Sequence, residues 1–147
     1  MYEPIRTKSV HTTADQHPVG DFPHRSRAEE LEIQLAGHLA ALLAVTDELR
    51  DLTSDAADRA ELTAGAAELA RQITRLRGGL PPVRSTVAAA IHEPHLAALH
   101  QRAHALAGRA LVVAASRADT AAAILAAERM DVHAAAPAAK DALAAAH

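Results

Sequence analysis

The chain of 147 residues has no cysteine and no tryptophan, and its aromatic side chains other than histidine are one tyrosine and one phenylalanine. Without cysteine there can be no disulfide, thiolate metal ligand, iron–sulfur cluster or cysteine nucleophile. Tyr2 and Phe22 both lie near the N-terminus, so the core is built without rings and no aromatic platform exists for stacking bases. Glycine is sparse, at 6 residues, and the phosphate and nucleophile motifs G-x-x-x-x-G-K-[ST], G-x-G-x-x-G and G-x-S-x-G are all missing. No run of about 18 uninterrupted apolar residues occurs, so no membrane span is expected. No apolar stretch follows Arg6 and Lys8, so no secretory signal is expected and a cytoplasmic location is the default. The formal charge of −3 is too small to argue for a nucleic-acid or membrane partner. Protonating the 10 histidines would reverse its sign below neutrality.

What the chain does have is alanine and leucine in helical order. Half of it is apolar, largely through alanine, the residue that loses least on entering a helix. This alanine- and arginine-rich composition fits a GC-rich bacterial genome. Alanine buries little area, so leucine, isoleucine and valine must supply the core at about 25 cal/mol per Å². One stripe runs through Leu31, Leu35, His38, Leu42, Val45, Leu49 and Leu52; a second runs through Leu62, Ala66, Leu69, Ile73 and Leu76. Steps of three and four residues place each set on one helix face. Glu32, Asp47, Glu48, Arg50 and Asp51 fall mostly outside the first stripe.

The helix ends are also signalled. Ser26 with Glu29 forms a capping box, and Thr53-Ser54-Asp55 offers caps for the second helix. Gly78 can take the left-handed conformation just past Arg77, Leu80 can fold back, and Pro81-Pro82 prevents continuation. Val83 to His92 reads as a short helix, and Pro94 kinks it or opens the next. From there the apolar set is Leu96, Leu99, Ala103, Leu106, Ala110, Val113, Ala114, Ala121 and Ile124. Unbroken to Met130 this helix would measure about 55 Å at 1.5 Å per residue. A break is therefore expected at Ser116, where Asp119 three residues on resembles a cap and where Arg117 would escape the apolar face. Pro4, Pro18 and Pro23 interrupt the N-terminal segment. The expected organisation is a flexible arm over residues 1–25, a bundle over 26–130 and an alanine-rich tail or short helix over 131–147. The fold class is all-α: an up-and-down antiparallel helical bundle of about four helices.

The densest polar feature is His92, Glu93, His95, His100 and His104. His100 and His104 lie one turn apart, which suits a divalent metal taking two imidazoles from one helix. His38 or His95 would complete such a site, and alanine-rich helices also use histidine simply as a solubilising position. His38 stands where an aliphatic residue belongs, so burial and a partner for its N–H are expected. Arg71, Arg75, Arg77 and Arg84 cluster about the Gly78-Gly79 turn, where helix-dipole complementarity alone favours cations. No catalytic residue and no cofactor-binding residue is assigned, and beyond a possible divalent metal no cofactor is expected. The expectation is a non-enzymatic scaffold or interaction module that forms a homo-oligomer, with dimer preferred, or takes a helical protein partner. The alternative is a metal- or small-ligand-binding bundle built on His100 and His104 with His38 or His95.

Overall fold

Capping side chains mark the starts of three of the four helices. A computed structural model describes residues 25–84 and 93–139. Helix α1 spans Arg27–Leu52, α2 Ala56–Leu76, α3 Glu93–Ser116 and α4 Thr120–Ala135. The Ser26–Glu29 capping box closes both ways at the start of α1, and Asp55 caps α2 by accepting from the Asp58 N–H at 3.0 Å. Past Leu76 the chain turns through Gly78 and Gly79, whose φ values of 66° and 97° favour glycine. The Gly79 N–H donates to the Thr74 carbonyl at 2.8 Å, using an acceptor the helix leaves free.

The expected break is present: α3 stops at Ser116 and Asp119 caps α4. The stop has the same geometry as the end of α2, with Asp119 N–H donating to the Ala114 carbonyl at 2.9 Å. Here the left-handed position is Ala118, at φ 55°. The cost of that conformation for an L residue with a Cβ is about 1–2 kcal/mol.

The core follows a four-three spacing along every helix. Leu35, Leu39, Leu42, Thr46 and Leu49 are buried on α1, and Leu62, Ala66, Leu69, Ile73 and Leu76 on α2. Leu99, Ala103, Leu106, Ala110 and Val113 continue it on α3. On α4 the buried residues are Ala122, Leu125, Ala126, Arg129 and His133. Ala121 and Ile124, expected inside, are exposed. The turn at Ala118 resets the helical phase, so the core face of α4 sits one residue further along.

Three side-chain contacts give the direction of the helices. Glu48 near the end of α1 meets His95 near the start of α3, Arg75 near the end of α2 meets Asp119, and Glu61 near the start of α2 meets Arg129 late in α4. Helix α1 packs on α2 and α3, α3 packs on α4, and α2 touches α4 along a narrow seam. All these neighbours are antiparallel. The course is nonetheless up, down, down, up, because α2 and α3 run the same way on a diagonal. The described residues after α2 climb the bundle, and Arg84 reaches Asp47. Val83 and Arg84, expected in a short helix, are not helical; the rest of that segment, His92 included, lies outside the described residues, as does the expected arm apart from Arg25. Helix α4 runs past the expected bundle boundary at Met130 to Ala135.

Candidate functional site

At the upper end of the bundle, where α1 and α4 finish and α2 and α3 begin, the core seam turns polar. The last two seam positions of α4 are Arg129 and His133, and both are buried. Room for the guanidinium comes from the facing helix: a Cβ on Gly65 would fall 2.2 Å from Arg129 Nη1. Arg129 Nη1 donates to Glu61 Oε1 at 3.1 Å, while its Nε and Nη2 find no protein acceptor among the described residues. A buried guanidinium left partly unpaired is costly, and its attraction to a half-exposed carboxylate offsets only part of that.

One turn further, His133 faces His100 of α3 with the two Nδ1 atoms 3.1 Å apart. The ring centroids are 5.3 Å apart and the planes tilted by 47°. Two nitrogens at that distance share one proton. His133 Nε2 is buried with no partner among the described residues, so the proton belongs on His133 Nδ1, donating to His100. The opposite tautomer would bury an unpaired N–H, which costs more than an unpaired lone pair. Burial pushes the His133 value down to about 3, with the charges of His100, Arg129 and His104 acting the same way. Burial also lowers His100, opposed by Asp58. His104 sits one turn along α3, its Nδ1 3.3 Å from the Met130 carbonyl. A carbonyl only accepts, so that nitrogen carries a proton, and in the neutral ring Nε2 keeps its lone pair.

The three imidazoles border a cleft of about 190 Å³ completed by Gln101, Ala134 and Ala139. His100 also borders a smaller pocket with Thr53, Asp58, Glu61, Leu62 and Val132. Of the four histidines expected as ligands, His100 and His104 share this cleft. His95 does not, since it pairs with Glu48 at 3.0 Å on the surface. His38 does not either: it is only half-buried and forms no hydrogen bond with any described residue. The seam of α1 passes through Leu35, Leu39 and Leu42, which leaves His38 beside Leu39 at the edge of the stripe. His133 was missed because a helix continued in phase from Ile124 turns it outward. Among the described residues no three histidine or acidic side chains are close enough to enclose a metal ion.

Several other charged groups help to hold the bundle, but Arg117, expected to escape the apolar face at the break, is half-buried with its Nη1 buried and unpaired among the described residues. Asp47, expected outside the core, is buried and takes both Nε and Nη2 of Arg84, at 3.0 and 2.5 Å. That bond raises the Arg84 value against the opposing effect of burial. Arg75 donates to Asp119 and Gln72, so the arginines about the turn are engaged within the chain.

At the lower end a second feature stands open. A groove of about 610 Å³ is lined by Ile33, Ala36, Gly37 and Ala40 of α1 together with Leu76 and Leu80, and rimmed by Arg25, Glu29, Glu32 and Arg77. Ile33 is 50% exposed and Leu80 61%. Leu80, expected to fold onto its helix, forms the groove wall instead. Among the described residues no helix is long and apolar enough to cross a membrane. Comparison with known proteins finds no matching family model, no matching curated relative and no matching solved structure.

Proposed function

We propose that the chain is a non-enzymatic helical-bundle interaction module that associates with a second copy of itself through the α1 groove. The observation that carries this reading is Gly37. It lies mid-helix and exposed, and a Cβ there would meet nothing within 4 Å. Glycine in a helix interior costs about 1 kcal/mol relative to alanine, and no contact among the described residues explains it. Close approach of another helix backbone does. Ile33, Ala36, Gly37 and Ala40 follow helical spacing, so α1 presents a shallow, small-residue track beside two exposed aliphatic side chains.

The rim favours a second copy over an unrelated partner. Arg25 and Arg77 stand with Glu29 and Glu32 around the same groove. A two-fold contact sets each patch against itself, and a rim carrying both signs then matches opposite charges across the axis. Sedimentation equilibrium at tens of micromolar tests the reading. The expected mass is twice the 15.4 kDa of the chain, returning to one chain in Gly37→Glu with helicity unchanged. A single-chain mass for the unaltered protein, or a dimer indifferent to Gly37→Glu, would sink it.

A further inference from the structure

We propose that His100 and His133 are ligands of a divalent transition-metal site between α3 and α4, with His104 available as a third imidazole. The site stands at the upper end of the bundle, apart from the α1 groove, and does not depend on self-association.

The geometry is that of two ligands waiting to share an ion. Zinc–imidazole bonds measure about 2.0–2.1 Å, so two nitrogens on one ion stand about 2.9–3.4 Å apart for angles from square to tetrahedral. The His100 and His133 Nδ1 atoms are 3.1 Å apart, inside that range, and an ion replacing their shared proton would use both lone pairs. The ligands come from two helices locked by an extensive interface, so bringing them together requires no folding step.

His104 adds a feature typical of metal-ligating histidine. Its Nδ1 donates to the Met130 carbonyl, which leaves Nε2 as the ligand nitrogen. It borders the same cleft of about 190 Å³, which has space for water or a small anion to complete the coordination. The donors are imidazoles, which suit zinc, nickel and copper and not magnesium or calcium.

The same arrangement limits the affinity. Coordination through Nδ1 puts the His133 proton on Nε2, which has no acceptor among the described residues. His104 must also rotate before it can join. The expected zinc Kd is therefore about 1–100 μM, well above that of a closed structural site.

The test titrates the full chain with zinc chloride at pH 7.5, read by calorimetry and by long-range ¹H–¹⁵N spectra that distinguish Nδ1 from Nε2. The account expects one ion per chain, with the zinc-induced shifts at Nδ1 of His100 and His133. His100→Gln should weaken binding at least tenfold and His104→Gln by less, while His95→Gln leaves it unchanged. The spectra of the unaltered protein decide the matter even if a His133 variant fails to fold. Zinc shifts confined to other histidines, no saturable binding up to about 1 mM, or His100→Gln binding like the unaltered chain would each overturn the proposal.

Discussion

Gly65 lacks a side chain at the place where the Arg129 guanidinium lies, and the two residues should behave as one unit. Gly→Ala in a helix interior ordinarily stabilises by about 1 kcal/mol. Here the new methyl displaces Arg129 from its bond to Glu61. Gly65→Ala should therefore fail to stabilise the unaltered protein and should gain its ordinary benefit when Arg129 is methionine. A double-mutant cycle by urea unfolding should give a coupling of at least about 1 kcal/mol; additive effects would show that the two sites are independent. Arg129→Met alone should be neutral or stabilising by about 1–3 kcal/mol, because a partly unpaired buried cation is exchanged for an apolar side chain.

His133 sets a pH dependence of stability. Its value is about 3 in the folded chain and near 6.5 when unfolded. Between those values the unfolded chain binds the extra proton. Stability is thus complete above pH 6.5 and falls as pH drops, by about 1.4 kcal/mol per unit from this group. His100 acts in the same direction. In chelator-containing buffer the urea midpoint should decline from pH 7 to pH 5. His133→Leu should flatten that decline, and an unchanged slope would contradict the assignment.

Among the elements, the α3–α4 corner carries the most consequence. Asp119 caps α4 through Ala122 N–H at 3.2 Å and holds Arg75 of α2 at 2.7 Å. Burial alone would raise its carboxyl, but Arg75, the Ala122 N–H and the charge of Arg117 outweigh that and hold it low. Asp119→Ala should cost about 2 kcal/mol, joining a lost cap to a lost ion pair. Asp119→Asn keeps the cap and should cost less than about 1 kcal/mol; equal losses would refute this division. Ala118→Gly relieves the left-handed strain and should stabilise by about 1 kcal/mol in the same assay.

That corner also marks where the sequence stops being readable. The seams of α1 and α2 could be followed from Leu35 to Leu76 because capping residues and Gly78 punctuate them. The break at Ser116 could be placed too, through Asp119 and the awkward position of Arg117. Its geometry could not, since the left-handed residue is an alanine and gives no glycine signal. The phase carried forward put Ala121 and Ile124 inside and hid Arg129 and His133. The polar cluster stayed invisible for that reason, with only its α3 half, His100 and His104, apparent. His38 misled in the opposite sense: spacing admits it to the stripe, but Leu39 occupies the inward position beside it.

At the scale of the molecule, the thin α2–α4 seam and the leucine–alanine core describe a bundle that buries modest area for its length. The antiparallel neighbours follow from short links at Thr53–Asp55 and Arg117–Asp119, whereas the parallel diagonal of α2 and α3 follows from the climb that brings Arg84 to Asp47. This course leaves the lower half of α1 with a small-residue face that no other described residue covers. Association through that face is the central claim, and the absence of cysteine makes a direct measurement simple. Gln34 is exposed on α1 beside the groove without lining it, so Gln34→Cys carries the only thiol for a spin label. Two α1 helices in contact have axes about 8–10 Å apart, and double electron–electron resonance should then report an inter-label distance below about 30 Å. The same label at Val112, exposed on α3 away from the groove, should give a longer distance. No dipolar modulation at 100 μM, or a shorter distance from Val112 than from Gln34, would contradict the account.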